Sequence, residues 1–490
     1  MKKVSLIAAA VTSALCSYSA MACTTILVGD RAMADGSYIV ARNEDYQATN
    51  AKHFVLHPAT KGDTSTFRSH GNDFSYPNPK NGLQYTSLSD FNTNNQSMGE
   101  AGFNSAGVGM SSTETIYNGA KALKADPYVT KTSINEDSIE NVILPRIHTA
   151  KEGVELLGKI IETQGAAEGF GVAFVDNHGI WYLETGSGHQ WMAQKIPNNK
   201  YFVSANQGRL QRYIPDNADY LASPTLISFA EQHHLGRANK DGSFDFHLAY
   251  SQDVKNDLTY NYPRVWTVQH LFTKGLDTNI TQGKDFPLFL KPTTKLTLTD
   301  IETALQNHYQ GTKHDPYTNQ NPQEAYRPIS VFRTQESHIL QVRPHLPRAI
   351  GEVEYVSWGM SALGVYLPFY QGMTKVPAGY DIGTDHADNQ SANWKFRKLQ
   401  TLAMTDWNKY APVVQKAYRE FEQQTAVAQQ KMEKQYLATY QQHPLTAEQI
   451  INSFEQQTSD KALVLTEKLT NDIFTQMTHA TDMTYHFEGA

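Results

Sequence analysis

Two of the 490 residues carry a thiol, Cys16 and Cys23. Cys16 sits in a stretch that reads as an export signal. Lys2 and Lys3 supply a positive start, an apolar run rich in Ala, Val, Leu and Ile follows, and Ala20-Met21-Ala22 puts small residues where a signal peptidase cuts. Cleavage between Ala22 and Cys23 leaves Cys23 as the first residue and lone thiol of the mature chain, so no intramolecular disulfide is expected. A thiol of ordinary pKa, about 8.5, needs a base to act as a nucleophile at neutral pH. A first residue carries its own, because its α-amine (ordinary pKa about 7.7–8.0) lies close enough to Cβ to act intramolecularly. Such a group needs a carboxylate to orient the amine, donors for an oxyanion, and proteolysis to uncover the amine. Export would provide the last.

The elements around Cys23 place charge beside it. Cys23-Thr24-Thr25-Ile26-Leu27-Val28-Gly29 reads as a buried strand, Ala34-Asp35-Gly36 as a turn, and Ser37-Tyr38-Ile39-Val40-Ala41-Arg42 as a second strand. A hairpin about 33–36 returns Arg42 and Asp45 alongside the start of the first strand. Further strands are expected at 53–56, 107–114, 171–176, 179–184, 190–195 and 200–205. Between them Thr149-Ala150-Lys151-Glu152 is a capping box opening a helix that carries Val154, Leu157 and Ile161. Strands, then helix, then strands predict an α+β layered domain. Residues 215–350 show no clean periodicity. From about Asn393 the pattern turns to long helices, with a stripe of Val414, Tyr418, Phe421, Met432 and Tyr436, and Thr446 to Gln449 capping another helix after Pro444. The expected division is a signal peptide over 1–22, a catalytic domain over 23–392 and a helical extension over 393–490, packed on that domain or on a second subunit of a homo-oligomer.

Composition removes several classes of function. With 42 Lys and Arg against 49 Asp and Glu, the formal charge of −7 argues against a nucleic-acid surface. No run is long and apolar enough for a membrane span, so a periplasmic or secreted protein is expected. His233-His234 and His314-Asp315 lack the company of an HExxH or Cys/His cluster, so no metal and no cofactor is expected. There is no G-x-S-x-G elbow and no P-loop. Two other uses of Cys23 stay open on these residues. A lipid-attachment cysteine also becomes the first residue, but that signal usually has Leu where Ala20 stands and leads into a polar tether rather than an apolar strand. A small core residue is the other. Arg42 and Asp45 alone would be an ordinary strand-end pair, Asn206 a turn residue and Arg264 a solvated one.

Taken in order, several segments resemble the dipeptidase A family of N-terminal nucleophile (Ntn) cysteine peptidases, related to penicillin V acylase and bile-salt hydrolase. These are Cys23 to Gly29, Ala41-Arg42-Asn43-Glu44-Asp45, Gly102 to Val108, Trp181 to Gly186 with His189-Gln190-Trp191, and Val203-Ser204-Ala205-Asn206. Pro263-Arg264-Val265-Trp266, His314 to Tyr317, Arg327 to Ser330 and Trp394 to Arg397 continue the match, which covers roughly 23–400. The resemblance implies a four-layer αββα sandwich with a helical C-terminal extension, and hydrolysis of dipeptide amide bonds without metal or cofactor. It makes Cys23 the nucleophile and its α-amine the general base. Arg42 would stabilise the thiolate, Asp45 hold the amine, Asn206 lie near the oxyanion hole, and Arg264 serve as an active-site arginine. One departure stands out: Glu114 occupies, by loose spacing from Asn104, the place of an oxyanion asparagine in the acylases. A carboxylate cannot donate to an oxyanion, and the expectation is that it binds the ammonium of a dipeptide. The alternatives are an acylase acting on N-acyl amino acids or penicillin-like amides and, from another class, a lipid-anchored envelope binding protein.

Overall fold

The computed structural model describes residues 23–91, 98–319 and 321–486; the side chains of Thr113, Glu114 and Lys284 fall outside that description, as does the expected signal peptide. The strands that matter are β1 (Thr24–Val28), β2 (Tyr38–Asp45), β3 (Lys52–His57), β4 (Tyr85–Asp90), β5 (Ala101–Phe103), β6 (Gly109–Thr115), β7 (Phe170–Asp176), β8 (Gly179–Thr185), β9 (Trp191–Lys195), β10 (Tyr201–Ser204), β11 (Tyr220–Ala222), β12 (Thr334–Val342), β13 (Glu352–Trp358) and β14 (Leu367–Tyr370). The helices are α1 (Glu136–Ile143), α2 (Ala150–Gln164), α3 (Tyr262–Phe272), α4 (Leu298–Leu305), α5 (Ala392–Ala403), α6 (Trp407–Thr439) and α7 (Pro444–Thr484).

Two antiparallel six-stranded sheets result, one in the order β10-β1-β2-β12-β13-β14 and the other β11-β9-β8-β7-β6-β5. The β1–β2 hairpin forms as its sequence predicts: Thr25 pairs with Arg42 and Thr24 with Asn43, and Gly36 takes a φ of 74° in the turn, a conformation open to a residue without Cβ. Both strands are buried along their whole length, as strands covered on two faces must be. Alternation then sorts their side chains. Ile26, Val28, Ile39 and Ala41 enter a core shared with α3, α5, α6 and α7, while Leu27, Tyr38 and Val40 meet Phe103, Ala173, Val175 and Tyr182 of the second sheet. The outer face of that sheet packs on α1 and α2 through Val154, Leu157, Phe174 and Leu183. The layers are therefore helix, sheet, sheet, helix. This is the expected αββα sandwich, and it ends in a helical C-terminal region.

The structure departs from the sequence expectations at three places. Thr149 Oγ1 accepts from Glu152 N at 3.1 Å, but the Glu152 carboxylate turns to His148 N at 2.7 Å rather than to the cap itself, so the box closes one residue early. α7 starts at Pro444, before Thr446, with proline in its first turn, where its missing N–H costs nothing. The third is larger. β12, the strand beside β2, runs through the stretch without clean periodicity, because its residues Gln335 to His338 are polar yet fully buried. Among the described residues no helix is long and apolar enough to cross a membrane.

Candidate active site

Continuing the β1–β2 register by one residue sets Cys23 opposite Glu44, and the two-residue period turns Cys23, Arg42 and Glu44 toward the space between the sheets. The Cys23 thiol donates to Glu44 Oε2 at 3.3 Å, and Arg42 Nη1 approaches Sγ at 3.5 Å and Glu44 Oε2 at 2.6 Å. All three side chains are buried. Each remaining donor of Arg42 is used: Nε on Ser111 Oγ at 3.1 Å, and Nη2 on Glu100 Oε2 at 3.2 Å and Ser112 O at 2.5 Å. A guanidinium held on three sides in this way cannot swing off the sulfur.

Behind Arg42 lies a wider network. Ser111 Oγ meets His338 Nε2 at 2.8 Å, and His338 Nδ1 meets Glu336 at 3.0 Å. Burial keeps the His338 ring below its ordinary pKa, against the pull of Glu336. Burial also works to raise Glu336, but His338, Lys52 and Arg42 outweigh it and hold it below the usual carboxylate range. Lys52 Nζ pairs with Asp90 at 2.7 Å and Glu100 at 3.6 Å. Oxygens of Glu44, Glu100 and Glu136 come within 4.8 Å of one another. Arg42 pairs with Glu44 and Glu100, and Lys52 with Glu100, so two cations already face this cluster.

On the other side of β1, Arg264 at the start of α3 donates through Nη1 to the Cys23 carbonyl oxygen and, at 3.0 Å, to Thr24 Oγ1. Its Nη2 reaches Asn206 Oδ1 at 2.8 Å and Asn261 Oδ1 at 2.6 Å. Asn206 follows β10, the other neighbour of β1, and donates to Thr115 O at 3.1 Å. Arg264 and Asn206 thereby fix the backbone of Cys23. Asp45 points the opposite way from Arg42, and its carboxylate takes Arg327 Nη2 and Thr334 Oγ1. Glu114 lies in β6 opposite Gly171; its side chain is outside the described residues. The structure brings together Cys23, Arg42, Asn206 and Arg264, with Asp45 on the far face of β2.

Sequence reasoning passed over Glu44, Glu100, Ser111, Glu336 and His338. One signal was present: Glu44 is two residues from Arg42 on a strand, hence on its face.

Several buried carboxyls here hold protons unusually tightly. Burial raises Glu44 against Arg42 and Lys52, and raises Glu100 against Lys52. Burial also pushes Glu184 up to about 7, although Arg209 N and Leu210 N donate to it, and Glu352 up to about 8 against Arg348. An unfolded chain, with ordinary Glu near 4.3, has released these protons by pH 6. Unfolding therefore releases protons, and stability falls as pH rises between about 4.5 and 8. The depressed carboxylates Glu336 and Asp315 act in the opposite sense below that window. The depressed imidazoles of His53, His57 and His338 act in the opposite sense in its lower part, below about pH 6.5, where the more numerous raised carboxyls outweigh them. Calorimetry at pH 5.5 and 8 should give a lower Tm at pH 8; a higher one would show that these carboxyls are ionised in the folded chain.

The model of Peptidase family C69 matches residues 22–420. The chain belongs to that family and is a peptidase. A probable dipeptidase of Salmonella dublin is 62% identical over 364 residues, which are 74% of this chain and 84% of that one. A probable dipeptidase A of Streptococcus pyogenes serotype M3 is 35% identical over 398 residues, covering 79% and 84%. Dipeptidase A of Lactobacillus helveticus is 28% identical over 467 residues, covering 92% and 94%, so the likeness extends into the helical tail. Among solved structures, a variant of the conjugated bile acid hydrolase of Clostridium perfringens covers 74% of this chain and 95% of its own at 14% identity and a TM-score of 0.32.

Proposed function

We propose that the chain is an exported dipeptidase, acting in the periplasm or outside the cell, whose mature form begins at Cys23 after removal of residues 1–22. The Cys23 sulfur attacks the amide carbonyl, and a thioester forms and is hydrolysed, with the α-amine as general base. The observation that carries this reading is the convergence of Arg42 Nη1 and Glu44 Oε2 on Cys23 Sγ in a buried site, with Arg264 gripping the same residue's carbonyl. Arg42 stabilises the thiolate. Asn206 is assigned to the oxyanion, Arg264 fixes the nucleophile's backbone, and Asp45 and Glu114 are assigned to the amine of Cys23 and the ammonium of the substrate. Dipeptides are the substrate class because the relatives above carry dipeptidase names.

The test is a panel of dipeptides with and without an N-acetyl group. Unblocked dipeptides should be cleaved, with kcat/KM at least about 10²-fold above their N-acetyl forms, because a site that pairs a charged ammonium rejects the analogue lacking it. Preference for the N-acyl compounds would make the enzyme an acylase. A diacylated Cys23 in the intact mass of the exported protein would make it a lipid-anchored protein instead.

A further inference from the structure

The register of β1 on β2 gives the nucleophile a second neighbour with acid–base capacity. Cys23 Sγ and Glu44 Oε2 are 3.3 Å apart, and Arg42 Nη1 lies against both. A thiolate and a carboxylate this close in a buried site would set two negative charges on one guanidinium, and like charges so placed do not both ionise. The pair therefore keeps one proton, on either the sulfur or the oxygen. Charged and titratable groups face it from every side: Arg42 on the same strand with Asp45 beyond it, Lys52 on β3, Glu100 before β5, Glu136 on α1, and Glu336 and His338 on β12. Burial lifts the Glu44 carboxyl toward the range of a thiol, which makes proton transfer between the two nearly level.

We propose that Glu44 is the acid–base partner of the Cys23 sulfur, accepting the thiol proton as sulfur bonds to the substrate carbonyl and returning it when sulfur leaves the thioester. The proposal rests on the dipeptidase reading and changes one transfer in it. The S–H bond breaks, its proton goes to Glu44 Oε2, and the new S–C bond raises the carbonyl to a tetrahedral oxyanion. That intermediate collapses with C–N cleavage, and the leaving nitrogen takes a proton from the α-ammonium of Cys23. Water then attacks the thioester and gives one proton to the α-amine. The C–S bond breaks, and the released thiolate regains its proton from Glu44. Four transfers are made, two through Glu44 and two through the α-amine.

The experiment compares wild type with Glu44→Gln and Glu44→Asp in the mature form, by the rate of Cys23 alkylation with iodoacetamide and by dipeptide turnover. In Glu44→Gln, Arg42 Nη1 loses its carboxylate and the thiolate gains sole use of that nitrogen, so alkylation at pH 6 should quicken by about tenfold, one unit of thiol pKa. Turnover should fall about 10²-fold or more, the size of a lost acid–base group, with little change in KM. A structural role would move both in the same direction. Unchanged turnover in Glu44→Gln, or a fall in turnover and alkylation together, overturns the proposal. Should the Gln variant not fold, Glu44→Asp keeps the charge and withdraws it by one methylene: lower turnover with alkylation retained supports the proposal, and wild-type turnover overturns it. If the wild type cleaves no dipeptide, the substrate reading fails, and the alkylation contrast alone decides for or against Glu44.

Discussion

Serine in place of Cys23 should lower kcat for dipeptide hydrolysis by at least about 10³-fold, some 4 kcal/mol of barrier, while leaving the fold intact. The substitution removes one property. A serine oxygen fits the space of the sulfur and keeps the hydrogen bond to Glu44, so the hairpin, the Arg42 clamp and the Arg264 contact to the Cys23 carbonyl all persist. A hydroxyl is far less acidic than a thiol, however, and neither an amine nor a carboxyl near neutrality ionises it appreciably. Steady-state kinetics with thermal unfolding checks this: a Tm within a few degrees of wild type alongside lost turnover is the expected pair. Wild-type turnover would mean that another residue is the nucleophile.

Replacing Arg42 by methionine is expected to cost about 3–5 kcal/mol of stability as well as activity. Arg42 is the charge that pairs with Glu44 at 2.6 Å and with Glu100 at 3.2 Å, all deep between the sheets. Methionine fills much of the volume and leaves those carboxyls without a cationic partner on that side, the costliest way to break a buried ion pair. The carboxyls can escape by holding protons, so the loss should be smaller at pH 5 than at pH 8, where they must ionise or be held neutral at a cost. Urea unfolding at both pH values measures it. A loss under about 1 kcal/mol at pH 8 would show that Lys52 alone balances the network.

The hairpin that carries Cys23 and Arg42 was legible because its signals are local: a β-branched apolar run, an Asp-Gly turn and a second apolar run. The long C-terminal helices were legible through their 3.6-residue stripe, of which Val414, Tyr418, Met432 and Tyr436 are buried. β12 was not. Its polar residues lie among the charges behind Cys23, so the apolar pattern that announces a strand is displaced by the site the strand supports. The same reason hid His338 and Ser111, 227 residues apart and joined only by the packing of one sheet on the other. Asp45 illustrates a different limit. Its motif names it a partner of the nucleophile's amine, and strand alternation sets its carboxylate on the face opposite Arg42, where Arg327 and Thr334 also hold it. A motif fixes an order of residues; the pleat decides which of them share a face.

The central claim is that Cys23 acts with its own α-amine, and one measurement reaches it directly. A form carrying a single alanine before Cys23, cleavable on demand by an aminopeptidase, keeps the thiol and every side chain around it while converting the amine into an amide. The account predicts turnover reduced about 10²–10⁴-fold in the extended form, the contribution of a lost general base, and recovered when mass spectrometry shows the alanine gone. Full turnover by the extended form would contradict it.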